Sequence, residues 1–151
     1  MVDHQKITGF LLDNLAQLGE LLMRNHHSKP GKHFVIWKSD IAEAYQICPM
    51  HVLWQLKQAM RIHGRLRIDQ VNVFGGLGSG AIFIFLNTLM AWIAKYKEMI
   101  ECLIYMDDSF GVNEEGRLEW YGLYDESYPV QQAQLLKLWD KVGIPHKKRS
   151  N

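Results

Sequence analysis

The sequence has little of what would set it apart from ordinary globular proteins. It has two cysteines in 151 residues, Cys48 and Cys102, at a spacing that fits neither a disulfide framework nor a zinc site. Its formal net charge is +1, which neither requires nor excludes a nucleic-acid partner. It has no internal repeat and no low-complexity segment. We therefore expect one domain with reduced cysteines, located inside the cell in the cytoplasm or nucleus.

Long hydrophobic runs are also lacking. The longest apolar stretch, from Ala81 to Ala94, contains Asn87 and Thr88 and is shorter than the roughly 20 residues of a membrane span. We expect it to form a buried core helix and expect no membrane partner. We expect no signal peptide in the N-terminal region, because its apolar residues are interrupted by Asp13, Asn14 and Gln17.

Two common catalytic motifs are missing as well. Ser79 lies among glycines but lacks the nucleophile-elbow pattern of the α/β-hydrolases. No glycine-rich phosphate loop ending in Gly-Lys-Ser or Gly-Lys-Thr occurs. These absences argue against a serine hydrolase and against a P-loop nucleotidase.

Hydrophobic periodicity predicts a mixture of helices and strands. Helices are predicted over residues 3–24, 49–64, 81–99 and 129–143, and strands over 33–40, 66–73, 102–105 and 109–112. The first strand is so apolar that we expect burial on both faces, and residues 113–128 are predicted to be irregular. This order predicts an α+β fold, a small antiparallel sheet packed with helices. We expect residues 1–31 to form an N-terminal helix and linker and residues 32–151 the main domain, together one compact unit.

Acidic residues occupy the ends of two predicted strands. Asp107 and Asp108 lie at the tip of a hairpin, and Asp40 ends an apolar strand where an unpaired charge is costly. If that strand neighbours the hairpin, the carboxylates meet at one sheet edge and can bind a hard divalent cation, Mg²⁺ or Mn²⁺. Alternatively, the pair only solvates the hairpin tip, and Asp40 caps a helix that starts at Ile41.

The sequence around these residues resembles that of the palm domain of reverse transcriptases. Residues 38–45 (Lys-Ser-Asp-Ile-Ala-Glu-Ala-Tyr) resemble the first palm motif, and residues 78–83 (Gly-Ser-Gly-Ala-Ile-Phe) resemble the second. Residues 105–108 are Tyr-Met-Asp-Asp, identical to the third motif. The three motifs occur in the same order as in the family. Beyond the motifs, the sequence is most similar to palm segments of fungal mobile elements.

This resemblance implies an RNA-directed DNA polymerase that joins a deoxynucleotide to a primer 3′-hydroxyl on a nucleic-acid template. Asp40 and Asp107 would bind Mg²⁺ or Mn²⁺, with Asp108 beside them and the backbone carbonyl of Ile41 as a further ligand. The resemblance also implies a polymerase-palm version of the α+β fold.

The resemblance assigns substrate contacts to four further positions. Tyr45 stands where the family places its sugar gate, and Glu43 stands where Asp is common. Gly78 and Ser79 stand where the family contacts the template and the nucleotide. On residue type alone, Tyr45 would be an ordinary packing residue and Ser79 a helix N-cap.

Several positions leave alternatives open. Residues 73–75 (Val-Phe-Gly) replace the Pro-Gln-Gly of viral members, and either Lys147 or Lys148 could protonate the leaving pyrophosphate or belong to a solvated tail. An aromatic cluster could stack on bases but is expected to pack on the core edge: Trp120, Tyr121, Tyr124 and Tyr128.

The chain has little sequence for the fingers and thumb of a polymerase. We therefore expect either a piece of a larger polymerase or a palm that acts alone. Two further functions stay open: a captured palm that binds protein or nucleic acid without catalysis, possibly as a homo-oligomer through the N-terminal helix, and a small metal-dependent nuclease.

Overall fold

The computed structural model describes residues 12–73 and 78–148. In this part, short antiparallel sheets pack with helices, which confirms the predicted α+β class. The helices are α1 (Leu15–Ser28), α2 (Val52–Gln55), α3 (Ser79–Lys97) and α4 (Val130–Val142). The strands are β1 (Phe34–Asp40), β2 (Ala59–Ile62), β3 (Arg65–Ile68), β4 (Leu103–Tyr105), β5 (Asp108–Glu114), β6 (Leu118–Tyr121) and β7 (Glu126–Pro129).

The central sheet has the order β1-β5-β4. Within the described residues β1 is an edge strand, and its side chains alternate between core and solvent. Trp37 and Ser39 are buried, whereas Ile36 is 57% exposed. The prediction that this strand is buried on both faces is therefore wrong, and the apolar run is that of a one-sided antiparallel strand.

The hydrophobic core lies between this sheet and helices α3 and α4. Its largest members include Phe83 of α3 and Trp139 of α4. Helix α4 follows Pro129 and ends at Gly143, whose φ of 78° is the left-handed conformation of a helix C-cap. This helix agrees closely with the predicted range.

Helix α3 is longer than the apolar stretch that predicts it. With 19 residues and a mean hydropathy of 1.2, it is long and apolar enough to cross a membrane, by length and composition only. One face of the helix is buried, through Phe83, Asn87, Met90 and Ala94. Phe85, Leu89 and Trp92 are 61%, 45% and 49% exposed, so the expected buried core helix is buried on one face only.

Helix α1 begins later than its periodicity predicts, and the predicted residues 3–11 lie outside the described part. Asn14 caps it, accepting hydrogen bonds from the backbone N–H groups of Ala16 and Gln17. The Gln17 side chain accepts from the N–H of Asn14, completing a capping box. Asp13 joins the segment to β4, because its N–H donates to the Ile104 carbonyl at 3.0 Å.

Two β-hairpins lie in segments for which the sequence predicted a helix or irregular structure. The helix predicted over 49–64 is only α2 and a 3-10 turn at Leu56–Gln58, followed by the β2–β3 hairpin. His63 and Gly64 form its two-residue turn with positive φ values of 48° and 76°, as tight hairpins require. Residues 113–128, predicted to be irregular, contain the β6–β7 hairpin instead.

Both cysteines are free in the structure. Burial raises the pKa of the Cys102 thiol to about 12, and burial also raises the pKa of Cys48. Thiols of this kind are poor nucleophiles, which agrees with the expectation of reduced packing cysteines.

Gly111 of β5 is the position where the sheet tolerates no side chain. It lies opposite Trp37 in register, and an added Cβ would meet the Trp37 ring at 2.6 Å and the Glu101 carbonyl oxygen at 2.8 Å. We expect Gly111→Ala to lower the free energy of unfolding by about 1–3 kcal/mol, the usual cost of overpacking. Urea denaturation measures the effect. Gly122→Ala, where the Cβ meets nothing within 4 Å, is the control, and equal losses in both variants would contradict the account.

Candidate active site

The tip of the β4–β5 hairpin is held from two sides. Met106 has a left-handed φ of 56°, and its carbonyl accepts a hydrogen bond from the Asn87 side chain of α3 at 2.6 Å. The Asp107 carbonyl accepts from the backbone N–H of Ile41, just beyond β1, at 3.1 Å. The backbone carrying the two adjacent aspartates is thus fixed to both α3 and the end of β1.

The sheet register brings the third aspartate to the same place. Asp40, the last residue of β1, lies directly opposite Asp108, the first residue of β5. Asp107 precedes it, and all three line one cavity of about 470 Å³. The remaining lining residues are Lys38, Ser39, Tyr124, Tyr128, Gln132, Leu136, Lys147 and Lys148.

Electrostatic repulsion accompanies this arrangement. Burial, and then the charges of Asp107 and Asp108, raise the pKa of the Asp40 carboxyl above its ordinary value, while Lys38 and Lys147 oppose the shift. Lys38 Nζ lies 2.7 Å from Asp108 Oδ2. This ion pair runs diagonally between β1 and β5 and partly compensates the acidic cluster.

The donor set fits a hard divalent cation. Carboxylate oxygens are the preferred ligands of Mg²⁺ and Mn²⁺, and a cation here would relieve the repulsion that raises the pKa of Asp40. Within residues 12–73 and 78–148, no three His, Cys, Asp or Glu side chains form a ready-made metal cage. The three carboxylates line one cavity but do not form a single three-ligand site.

The alternative that Asp40 caps a helix does not hold. Ile41 forms an isolated bridge with His146, and turns rather than an α-helix follow it. Ile41 is buried, and its backbone lies beside the aspartates through its hydrogen bond to Asp107.

The four predicted substrate residues lie apart from this cavity's lining. Glu43 is exposed in a turn with a left-handed φ of 54°. Tyr45 packs against Phe83 of α3, with ring centroids 5.4 Å apart. Gly78 and Ser79 line a second, largely apolar cavity of about 560 Å³ beside α2. Ser79 is the first residue of α3 and is buried, while Gly78 occupies the cap position.

The wall opposite the aspartates is aromatic and basic. Lys148 bonds to the Tyr124 carbonyl at 3.0 Å and pairs with Glu126 at 3.3 Å. Lys147 makes no ion pair with a described residue, and its charge acts on Asp40. Of the aromatic cluster, Tyr121 is buried in the core with Tyr124 and Tyr128 packed on it, as expected, whereas Trp120 is exposed.

Sequence reasoning missed two side chains that build the site. Asn87 stood out only as an interruption of an apolar run, yet a buried amide needs a hydrogen-bond partner, and its partner is the hairpin tip. Gln132 of α4 donates to the Lys38 carbonyl at 2.9 Å and to Ser39 Oγ at 3.1 Å, which fixes the end of β1. Nothing in the local sequence distinguishes Gln132 from its neighbour Gln131.

Removing the charge of Asp40 should stabilise the metal-free protein. Because the folded-state pKa is raised, ionised Asp40 costs stability as pH rises through that pKa, and the cost disappears below the ordinary value of 3.8. We expect Asp40→Asn to raise Tm by a few degrees at pH 7.5 in EDTA, and by progressively less towards pH 4. Thermal unfolding across this pH range measures it. Asp125→Asn, on an exposed turn, serves as the control, and a variant melting no higher than wild type at pH 7.5 would refute the repulsion.

Comparison with known proteins identifies no family for the chain: no family model and no curated protein matches it.

Proposed function

We propose that this chain is the palm of an RNA-directed DNA polymerase of the reverse-transcriptase type, which joins deoxynucleotides to a primer 3′-hydroxyl. One observation carries the proposal. Asp40 and Asp108 face each other across β1 and β5, and Asp107 lines the same cavity. These are the positions marked by the first and third palm motifs, although 67 residues separate Asp40 from Asp107.

Asp40 and Asp107 would hold Mg²⁺ or Mn²⁺, with Asp108 and the Ile41 carbonyl beside them. When bound, the ion supplies charge neutralisation and lowers the pKa of an attacking hydroxyl. The chain's own contribution is positioning, which is the main demand of phosphoryl transfer besides electrostatics. Asn87 and the Ile41 N–H fix the hairpin tip, and Gln132 fixes the end of β1.

The resemblance gives further roles to Lys147, which lines this cavity, and to four residues that lie outside its lining. Lys147, on the cavity wall without an ion-pair partner in the described part, would receive the leaving pyrophosphate. Tyr45, packed on Phe83, would exclude a ribose 2′-hydroxyl. Gly78 and Ser79 would contact the template and nucleotide from the start of α3, with Glu43 nearby in sequence. The partners are then a template-primer and a deoxynucleoside triphosphate, met in the cytoplasm or nucleus.

Primer extension tests the proposal. The full chain is incubated with a labelled DNA primer on an RNA template, the four deoxynucleotides and Mg²⁺ or Mn²⁺. We expect addition of a few nucleotides, because a domain this small neutralises few phosphates and dissociates quickly. Lack of extension with either metal would refute catalysis by this chain. A ladder of shortened primer would identify a metal-dependent nuclease instead.

A further inference from the structure

The acidic and basic residues of this chain are strongly segregated. Residues 44–97 contain six Lys or Arg and one acidic residue, Asp69. The remaining 11 of 17 basic and 15 of 16 acidic residues lie elsewhere. A total charge of +1 therefore conceals a basic segment, residues 44–97, with six basic and one acidic residue, and an acidic remainder with 11 basic and 15 acidic residues. Such asymmetry is typical of a surface that meets a polyanion.

The basic segment includes the β2–β3 hairpin, which is solvent-exposed along its whole length. Every residue of β2 and β3 is exposed, on both faces of the ribbon. Three of them are arginines, Arg61, Arg65 and Arg67, and none forms an ion pair with any described residue. By contrast, Lys29, Lys32, Lys38, Lys137 and Lys148 all pair with acidic residues.

The register assigns these arginines to faces. Ile62 lies opposite Arg65, and Met60 lies opposite Arg67, so these four side chains share one face because cross-strand partners point the same way. Arg61 lies on the other face, opposite Leu66. One face thus presents two arginines whose Cα atoms are about 6.8 Å apart along β3, next to two apolar side chains that are 42% and 44% exposed.

We propose that this face of the β2–β3 ribbon binds the phosphodiester backbone of a nucleic acid. Guanidinium groups match phosphate with paired hydrogen bonds. Two long arginine side chains at this backbone spacing can reach neighbouring phosphates of one strand. Met60 and Ile62 contact sugars or bases between the phosphates, which accounts for apolar side chains exposed on a soluble ribbon. The inference rests on the proposed function only in taking nucleic acid as the substrate class.

The decisive variant is Arg65→Gln/Arg67→Gln, which neutralises both charges of one face. Binding of fluorescein-labelled 20-nucleotide RNA and DNA, single-stranded and duplex, is measured by anisotropy from 50 to 300 mM salt in EDTA. We expect affinity to fall about 25-fold for single strands at 0.1 M salt. The slope of log K against log salt should shrink by about 1.4 for single strands and 1.8 for duplexes. A loss of affinity greater than these slopes predict, seen for one form alone, identifies the form that the ribbon binds.

A matched double variant separates this site from general charge. Arg117→Gln/Lys141→Gln removes the same charge from exposed positions outside the basic segment. It should leave the slope of log K against log salt near that of wild type. Arg61→Gln, on the opposite face, should change affinity far less than the decisive variant. Circular dichroism verifies folding, which surface substitutions rarely disturb.

Three outcomes would overturn the inference. They are an unchanged salt slope in Arg65→Gln/Arg67→Gln, an equal loss in the matched control, or equal affinity of the ribbon for poly-glutamate, which would indicate an acidic protein partner. Because EDTA removes catalytic metal, the result is independent of primer extension. If the chain binds nucleic acid as expected but cannot extend a primer, the proposed function is refuted and the inference about the ribbon is not.

Discussion

Asp107→Asn is expected to lower kcat/KM for metal-dependent primer extension by at least about a thousand-fold. In the proposed metal site, loss of one carboxylate removes a ligand and half of the adjacent negative charge at the hairpin tip. Several kcal/mol of transition-state stabilisation depend on such a metal site, and each 1.36 kcal/mol corresponds to a factor of ten in rate. Steady-state extension of a single nucleotide measures the change without interference from dissociation.

The fold should survive this substitution. The hairpin tip is held by backbone groups, the Met106 and Asp107 carbonyls, and Asn has nearly the shape of Asp. Asp125→Asn is the control, since it makes the same change of side chain in the β6–β7 turn, where Asp125 is exposed and does not line the cavity. Activity of Asp107→Asn within tenfold of this control would exclude Asp107 as a metal ligand. Mn²⁺ titration followed by thermal unfolding supplies a second readout: Mn²⁺ should raise Tm in wild type and in Asp125→Asn but not in Asp107→Asn.

The elements that carry the aspartates were predictable because their pattern is local. Residues 102–105 and 109–112 are apolar runs around a polar tip, and the structure has strands β4 and β5 there. Helix α4 was predictable for the same reason, since Pro129 and Gly143 delimit a periodic run. Asp40 was predicted to lie near the hairpin aspartates if β1 is adjacent to the hairpin. The pairing of β1 with β5 meets this condition.

The remaining elements depend on contacts between residues distant in sequence. Met60 fits a helical spacing from Leu56 as well as a strand alternation with Ile62, and only the His63-Gly64 turn decides for a hairpin. Exposure of Ile36 depends on β1 being at the sheet edge. The bonds of Asn87 to Met106 and of Gln132 to Ser39 cross 19 and 93 residues, so no local pattern reveals them.

His146→Ala is expected to lower the free energy of unfolding by about 2–4 kcal/mol, the range for breaking a buried hydrogen-bond network. The His146 side chain is only 2% exposed. Its Nδ1 lies 2.5 Å from the Tyr124 hydroxyl, and its Nε2 lies 3.0 Å from Asp140 and 3.2 Å from the Tyr121 hydroxyl. Burial, together with the bond to Asp140, raises the pKa of Tyr121, so this hydroxyl stays a neutral donor to Asp140.

Removing the His146 imidazole therefore leaves buried polar groups with fewer hydrogen-bond partners, and it creates a cavity beside Trp139. The loss should also reach the candidate site, because the Ile41–His146 bridge and the bond from the Ala42 N–H to the Pro145 carbonyl, 2.8 Å, join the C-terminal segment to the end of β1. Urea denaturation measures stability, and amide hydrogen exchange at Ile41 and Ala42 measures the local effect. His33→Ala removes an exposed imidazole and should cost less than about 0.5 kcal/mol. If the two variants unfold at the same urea concentration, or if exchange at Ile41 is no faster in His146→Ala, the network does not support the sheet edge that carries Asp40.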